Sequence, residues 1–191
     1  LFRSEEVIEK MRANGIFSTL EAVKTKLDNQ IPMGYCNVGE VIEVGKNIKN
    51  FKVGDRVVSN GPHAEYVSVS EKLCAKIPDN VDDEMASFTV LASIALQGIR
   101  LSNPTLGETF LVSGLGVIGF LTAKLLADNG CNVLAIDNNQ DKCLLAKKLG
   151  IRVLNLNKDI NPVSWCLSET NQIGVDGVII TASTKSNEPV N

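Results

Sequence analysis

Gly114, Gly116 and Gly119 stand in the spacing GxGxxG directly behind a β-prone run, Thr109 to Ser113. That arrangement suits the cradling of a dinucleotide pyrophosphate. Gly114 lets the chain turn sharply out of the strand, Gly116 lets the backbone approach the phosphates, and Gly119 lets the following helix sit close to the sheet. The start of that helix, at Val117 and Ile118, offers free N–H groups and roughly half a positive charge. A second apolar run ends on Asp137, 23 residues after Gly114 and 18 after Gly119. A carboxylate there is placed to receive the two hydroxyls of the adenosine ribose. Asn138 and Asn139 follow, with no arginine to meet a 2′-phosphate. A phosphate facing Asp137 at short range costs about 2–4 kcal/mol, so NAD is expected rather than NADP. The plainer reading is a βαβ unit whose glycines serve packing and whose Asp137 caps the next helix.

The elements needed to position this turn are legible around it. Strands are expected at 109–114, 132–137, 152–156 and 175–181, alternating with helices at 117–129, 140–149 and 160–171. That alternation predicts an α/β fold with a parallel sheet. Val117, Ile118, Leu121, Leu125 and Leu126 form a stripe at helical spacing, expected to face the sheet. Strand ends in such sheets face the ligand crevice, which places Thr181 and Ala182 on the path of the nicotinamide. Trp165 is expected to pack its helix on the sheet.

Upstream, residues 82–100 read as helix and 101–108 as loop. Residues 38–44, 53–59 and 64–69 read as three strands of a small barrel-like unit, with CAKIP as a short extended piece before a turn at Pro78, Asp79 and Asn80. Residues 3–29 read as two helical pieces, the first capped by Ser4 and the second opened by the capping-box spacing of Ser18 and Glu21.

Composition narrows the function. The 19 basic and 22 acidic residues nearly balance, which gives no electrostatic case for nucleic acid or an anionic membrane surface. No apolar run is long enough to span a bilayer. Five cysteines without CxxC spacing read as small apolar fillers in a reducing, cytoplasmic setting.

Two blocks carry a family resemblance. GYCNVGEVIEVGKNIKNFKVGDRVVSNGPHAEYVSV (34–69) and FLVSGLGVIGFLTAKLLADNGCNVLAIDNNQDKCLLAKKLGI (110–151) resemble the medium-chain dehydrogenase/reductase superfamily, to which the zinc alcohol dehydrogenases belong. The resemblance implies a helical lead-in (1–30), a partial GroES-like β domain (31–80) and a partial Rossmann coenzyme domain (81–191). It also makes Lys142 the lysine beside the adenosine, although a solvated helix lysine explains it equally well. The lead-in, ALQGIR (95–100) and ITASTKSNEP (180–189) are similar to the dehydrogenase half of bi-domain oxidoreductases. On that resemblance, the start of the barrel, the last coenzyme strands and a fused second oxidoreductase half lie beyond these 191 residues. Homo-oligomerisation is compatible with it. A strand at 175–181 left without its next neighbour would be an aggregation-prone apolar edge.

The departures from the family bear on catalysis. Zinc members carry Gly-His-Glu where this chain has Gly34, Tyr35 and Cys36, and a third ligand falls near Leu91, in a stretch (85–98) without Cys, His, Asp or Glu. Only SNGPH occupies the place of the four-cysteine lobe. No zinc is therefore expected. Tyr35 is the candidate proton donor in its place, set against a tyrosine merely packed at the cleft wall. Cys36 reads as a filler or a reactive thiol, and His63, the sole histidine, as structural or titrating. The expected function is hydride transfer between nicotinamide and an alcohol or carbonyl, with a sugar-related small molecule suggested by the bi-domain resemblance. Two alternatives stand beside it. One is a non-catalytic NAD(H)-binding module or scaffold for a fused half. The other is a zinc dehydrogenase whose ligands lie outside these residues.

Overall fold

TFLVS and NVLAID are nearly continuous apolar runs, the composition of strands covered on both faces. The computed structural model describes residues 12, 15 and 33–183 and places both runs at the centre of a parallel sheet. Seven strands and five α-helices are labelled here in chain order. In the N-terminal unit, β1 (Asn37–Glu40), β2 (Arg56–Ser59) and β3 (Cys74–Lys76) form an antiparallel sheet in that order. Helices α1 (Asp83–Ala86) and α2 (Thr89–Ser102) lead to the second unit. There β4 (Thr109–Ser113), α3 (Val117–Asp128), β5 (Asn132–Asp137), α4 (Gln140–Lys148), β6 (Arg152–Asn155), α5 (Pro162–Glu169) and β7 (Gly177–Ile180) alternate.

The four strands of the second unit run parallel in the order β6-β5-β4-β7. This is the first half of the doubly wound order, with the chain reversing direction across the sheet between β4 and β7. Successive residues point to opposite faces. Phe110, Val112, Val133 and Ala135 enter one core with Ala123 and Leu126 of α3, and α2 packs along α3 outside them. Leu111, Leu134 and Ile136 enter the other core with Leu154, Cys166 and Trp165 of α5. Trp165 thus holds its helix on the sheet, as expected. Burial drives the thiols of Cys143 and Cys166 above their usual range, with the Asp137 charge adding to the effect at Cys143, so both are protonated apolar fillers at neutral pH.

Four expectations need correction. Residues 64–69 join no strand ladder; the third strand is the short CAK piece of β3. The alternation there is real in burial, with Val67 and Val69 half-buried beside exposed Tyr66 and Ser68. Alternation specifies a face, but a ladder also needs a neighbour with free backbone groups. Strands 38–44 and 53–59 contract to β1 and β2, and the helix over 82–100 breaks at Ser87 and Phe88 between α1 and α2. On α3 the face turned to the sheet is Gly119, Thr122, Ala123 and Leu126, whereas Val117 is 51% exposed. Close helix–sheet approach selects the small residues; of the bulky stripe, Leu126 enters the core and Leu125 packs against it, while Val117 turns outward. The helical lead-in lies outside the described residues except for Arg12, which is helical, and Gly15.

Asp55 ties the first unit together. Its carboxylate accepts from the Lys76 ammonium of β3 at 2.8 Å and from the Lys52 backbone N–H at 2.9 Å. The Lys76 bond, then the Lys52 amide, holds its acid strength below the usual carboxylate range. A depressed carboxyl stabilises the fold above its unfolded-state value and loses that contribution as pH falls through the folded one. Below about pH 4, wild-type stability should therefore fall more steeply with acid than that of Asp55→Asn. Denaturant melts at a series of pH values check this; parallel acid limbs for the two proteins would exclude the role.

Candidate dinucleotide-binding site

The glycine turn sits where β4 ends. Gly114 has φ +99°, and a Cβ on it would lie 2.7 Å from the backbone nitrogen of Ala182. Gly119 is closed off more severely. A side chain there would strike the Gly114 carbonyl oxygen and come within 2.8 Å of Thr181 Oγ1. Gly116 differs from both: a Cβ on it meets nothing within 4 Å. It opens α3 as an N-cap without a side-chain bond, so no capping side chain engages the first-turn amides at Val117, Ile118 and Gly119. Free N–H groups and the dipole at such a helix start favour negative charge nearby.

Asp137 closes one side of the site. It ends β5 at 7% exposure, and its two oxygens are both engaged. Oδ2 accepts from the Leu115 N–H inside the glycine turn at 2.6 Å, and Oδ1 accepts from the Asn139 N–H at 2.7 Å. Lys142 Nζ stands 3.9 Å from Oδ2, too long and too exposed to add much. A carboxylate has about four acceptor positions, so two remain for hydroxyl donors. The helix-capping role falls to Asn139, whose side chain accepts from Lys142 N at 3.1 Å.

Thr181 and Ala182 close the other side. Thr181 Oγ1 donates to the Gly114 carbonyl at 2.6 Å, and Thr181 N donates to the Ser113 carbonyl at 2.9 Å. The sequence pointed to both residues but not to this lock on the turn. It equally missed the bond from Leu115. A backbone amide leaves no mark in a side-chain pattern, so neither was open to sequence reasoning. The structure thus brings together Gly114, Gly116, Gly119, Val117, Ile118, Asp137, Asn138, Lys142, Thr181 and Ala182 at the carboxyl ends of β4, β5 and β7.

Comparison with known proteins agrees with this geometry. The alcohol dehydrogenase GroES-like domain family matches residues 4–79, and the TrkA-N domain family matches residues 110–161. An alcohol dehydrogenase of Moraxella sp. (strain TAE123) is 27% identical, over 93% of this chain and 63% of the relative. The structure of 2R,3R-butanediol dehydrogenase from Bacillus subtilis is 28% identical with a TM-score of 0.69, covering 78% of this chain and 50% of that one. The chain belongs to the medium-chain dehydrogenase/reductase superfamily. It spans between half and two thirds of the length of these curated relatives. A mycobacterial member, Rv1454c, solved with NADPH is 28% identical with a TM-score of 0.65, over 81% of this chain and 51% of that one.

Within the superfamily, the position of the zinc triplet has a different use here. The Cys36 thiol donates to the Ser87 carbonyl at the end of α1. Gly34 has φ +69°, and its missing side chain makes room for the His63 imidazole, which lies against it. His63 N donates to the Met33 carbonyl at 2.6 Å. Tyr35 is 54% exposed and makes no hydrogen bond among the described residues, so the cleft-wall packing weighed for it does not occur there. No group of three His, Cys, Asp or Glu side chains gathers among the described residues, and the residues at the triplet position do not fit a tetrahedral zinc. No described helix is long and apolar enough to cross a membrane.

The three glycines separate folding from binding. Gly116→Ala should fold with a stability change within about 1 kcal/mol, because no atom opposes the new methyl. It should still lose dinucleotide affinity, because the methyl enters the phosphate cradle. Gly119→Ala should destabilise the unit by at least about 1–3 kcal/mol, since a backbone carbonyl blocks it. Thermal melts paired with dinucleotide titrations distinguish the two variants.

Proposed function

We propose that this chain is part of an NAD(H)-dependent oxidoreductase of the medium-chain type, working without catalytic zinc. The observation that carries the reading is the Asp137 carboxylate, held 2.6 Å from the glycine-turn amide of Leu115 at the open mouth of an anion cradle. When bound, nicotinamide adenine dinucleotide supplies a hydride acceptor and donor at its nicotinamide C4. The protein's share is positional. The amides of Val117 and Ile118 would take the pyrophosphate, and the two free acceptor positions of Asp137 would take the ribose hydroxyls. Asn138 and Lys142 flank that ribose, while Thr181 and Ala182 set the wall toward the nicotinamide. The substrate would be a small alcohol or carbonyl compound, sugar-related by the bi-domain resemblance. A cytoplasmic setting and a fused or oligomeric partner belong to the same proposal.

NAD is preferred because an ionised, buried acid with no arginine beside it repels a 2′-phosphate. Among the described residues Lys142 is the cation within 4 Å of the Asp137 carboxylate, at 3.9 Å. In the full-length protein NAD(H) should bind at least about tenfold more tightly than NADP(H), and Asp137→Ala should narrow that gap. Equal or tighter NADP(H) binding by wild type would show the assignment to be wrong.

Tyr35 is the proposed proton donor for the carbonyl oxygen, with His63 stacked on the residue before it. Tyr35→Phe should then reduce kcat by about 100-fold or more while leaving dinucleotide affinity unchanged. An unaltered kcat would remove Tyr35 from the reaction. A second reading, a dinucleotide-binding module without turnover, is favoured by the absence of a zinc-fitting ligand set among the described residues. Tight NAD(H) binding with no oxidation of any alcohol, followed at the nicotinamide absorbance band, would select it.

A further inference from the structure

We propose that Asn157 is a positioning residue that sets the preference of this site for a free ribose over a 2′-phosphorylated one. This rests on the reading of the site as an NAD(H) site. The residue lies outside the glycine turn and two positions past β6, yet it acts on the peptide that orients Asp137.

The geometry centres on one peptide unit, the Asn138 carbonyl with the Asn139 N–H. At its nitrogen end it donates to Asp137 Oδ1 at 2.7 Å. At its oxygen end it accepts from Asn157 Nδ2 at 2.6 Å. A peptide is planar, so the two bonds fix one rotation between them. Each also polarises the other. The preceding carbonyl, that of Asp137 itself, accepts from Leu156 N at 3.0 Å. Two consecutive carbonyls of the turn are thus held by two consecutive residues of one segment.

That segment is braced in turn. Asn157 N donates to Asn155 Oδ1 at 2.8 Å. Asn155 is only 7% exposed, lies opposite Asp137 in the β5–β6 register, and donates from Nδ2 to Gln140 Oε1 at 2.6 Å. Gln140 opens α4, the helix that follows the turn. The bonds form a ring from the turn through Asn157, Asn155 and Gln140 back to the turn. Without Asn157 the 138–139 peptide is free to rotate about its flanking bonds. Its N–H then leaves Asp137, and the carboxylate loses the donor that keeps it facing the ribose position. Such a turn grips ribose hydroxyls less well and also yields more readily to a phosphate.

Asn157 is exposed, so Asn157→Ala leaves both cores intact. The test uses the full-length protein with NAD(H) and NADP(H) as probes. In Asn157→Ala the Kd for NAD(H) should rise about threefold to tenfold, the size of one net hydrogen bond. The Kd for NADP(H) should stay level or fall, so the preference narrows. Asn157→Gln, which keeps the carboxamide donor, should restore most of the preference. Without any dinucleotide, the Asn139 amide should exchange its hydrogen faster in Asn157→Ala, while Leu134 and Ile136 of β5 keep their protection. A wild type that prefers NAD(H), together with an Asn157→Ala ratio unchanged or an equal loss for both dinucleotides, overturns this proposal alone. A wild type that binds neither dinucleotide overturns the functional reading and this proposal with it.

Discussion

The bond from the Leu115 amide to the Asp137 carboxylate joins the two halves of the site. It links the turn leaving β4 to the end of β5, and it is possible only because the strands are parallel and in register, with Ser113 opposite Ile136. A buried carboxylate is tolerated only where donors satisfy it. Here the donors are backbone amides, one from the glycine turn and one from the residue capping α4. The first turns of α3 and α4 both open beside it. The constraint runs both ways: the acid needs the turn's amide, and the turn keeps that amide aimed inward only while the acid is there.

The same constraint accounts for the differing glycines. Gly114 and Gly119 are excluded volume, where the chain, the Thr181 hydroxyl and the Ala182 backbone converge on the end of β4. Gly116 faces open space, where a Cβ would meet nothing within 4 Å. A fold that needed glycine for packing alone would have no reason to leave that middle position bare. The contrast is the feature that supports, under the proposed function, a ligand cradle over the packing-only βαβ unit.

How much of this could be read from the sequence follows from where each signal resides. The central strands, their helices and the glycine turn were legible because hydrophobic period and glycine spacing are side-chain properties. The shift of the buried face on α3 toward Gly119, Thr122 and Ala123 was not, because hydrophobicity says which residues avoid water and not how near two backbones come. The failure at 64–69 has another cause. Val67 and Val69 turn inward as their alternation requires, yet pairing depends on a neighbour that alternation does not specify. The bonds that orient Asp137 were the least legible, since most of them end on backbone atoms.

Among its described residues, the N-terminal unit is held together by side-chain bonds around the triplet position rather than by a tetrahedral ligand set. A zinc ion at the triplet position would cross-link segments distant in sequence and polarise a substrate oxygen. The described residues join such segments by other bonds. Cys36 reaches the Ser87 carbonyl, and Arg56 grips Asp83 at 2.6 Å and the Val81 carbonyl at 2.9 Å. Val58, Ile77 and Ala86 pack beneath them. These contacts fasten the β unit to α1 with neutral or solvent-screened bonds, none of which carries a double positive charge. Under the proposed function, the proton donor assigned to this region is Tyr35, exposed and without a hydrogen bond among the described residues, with the His63 imidazole resting on the glycine before it.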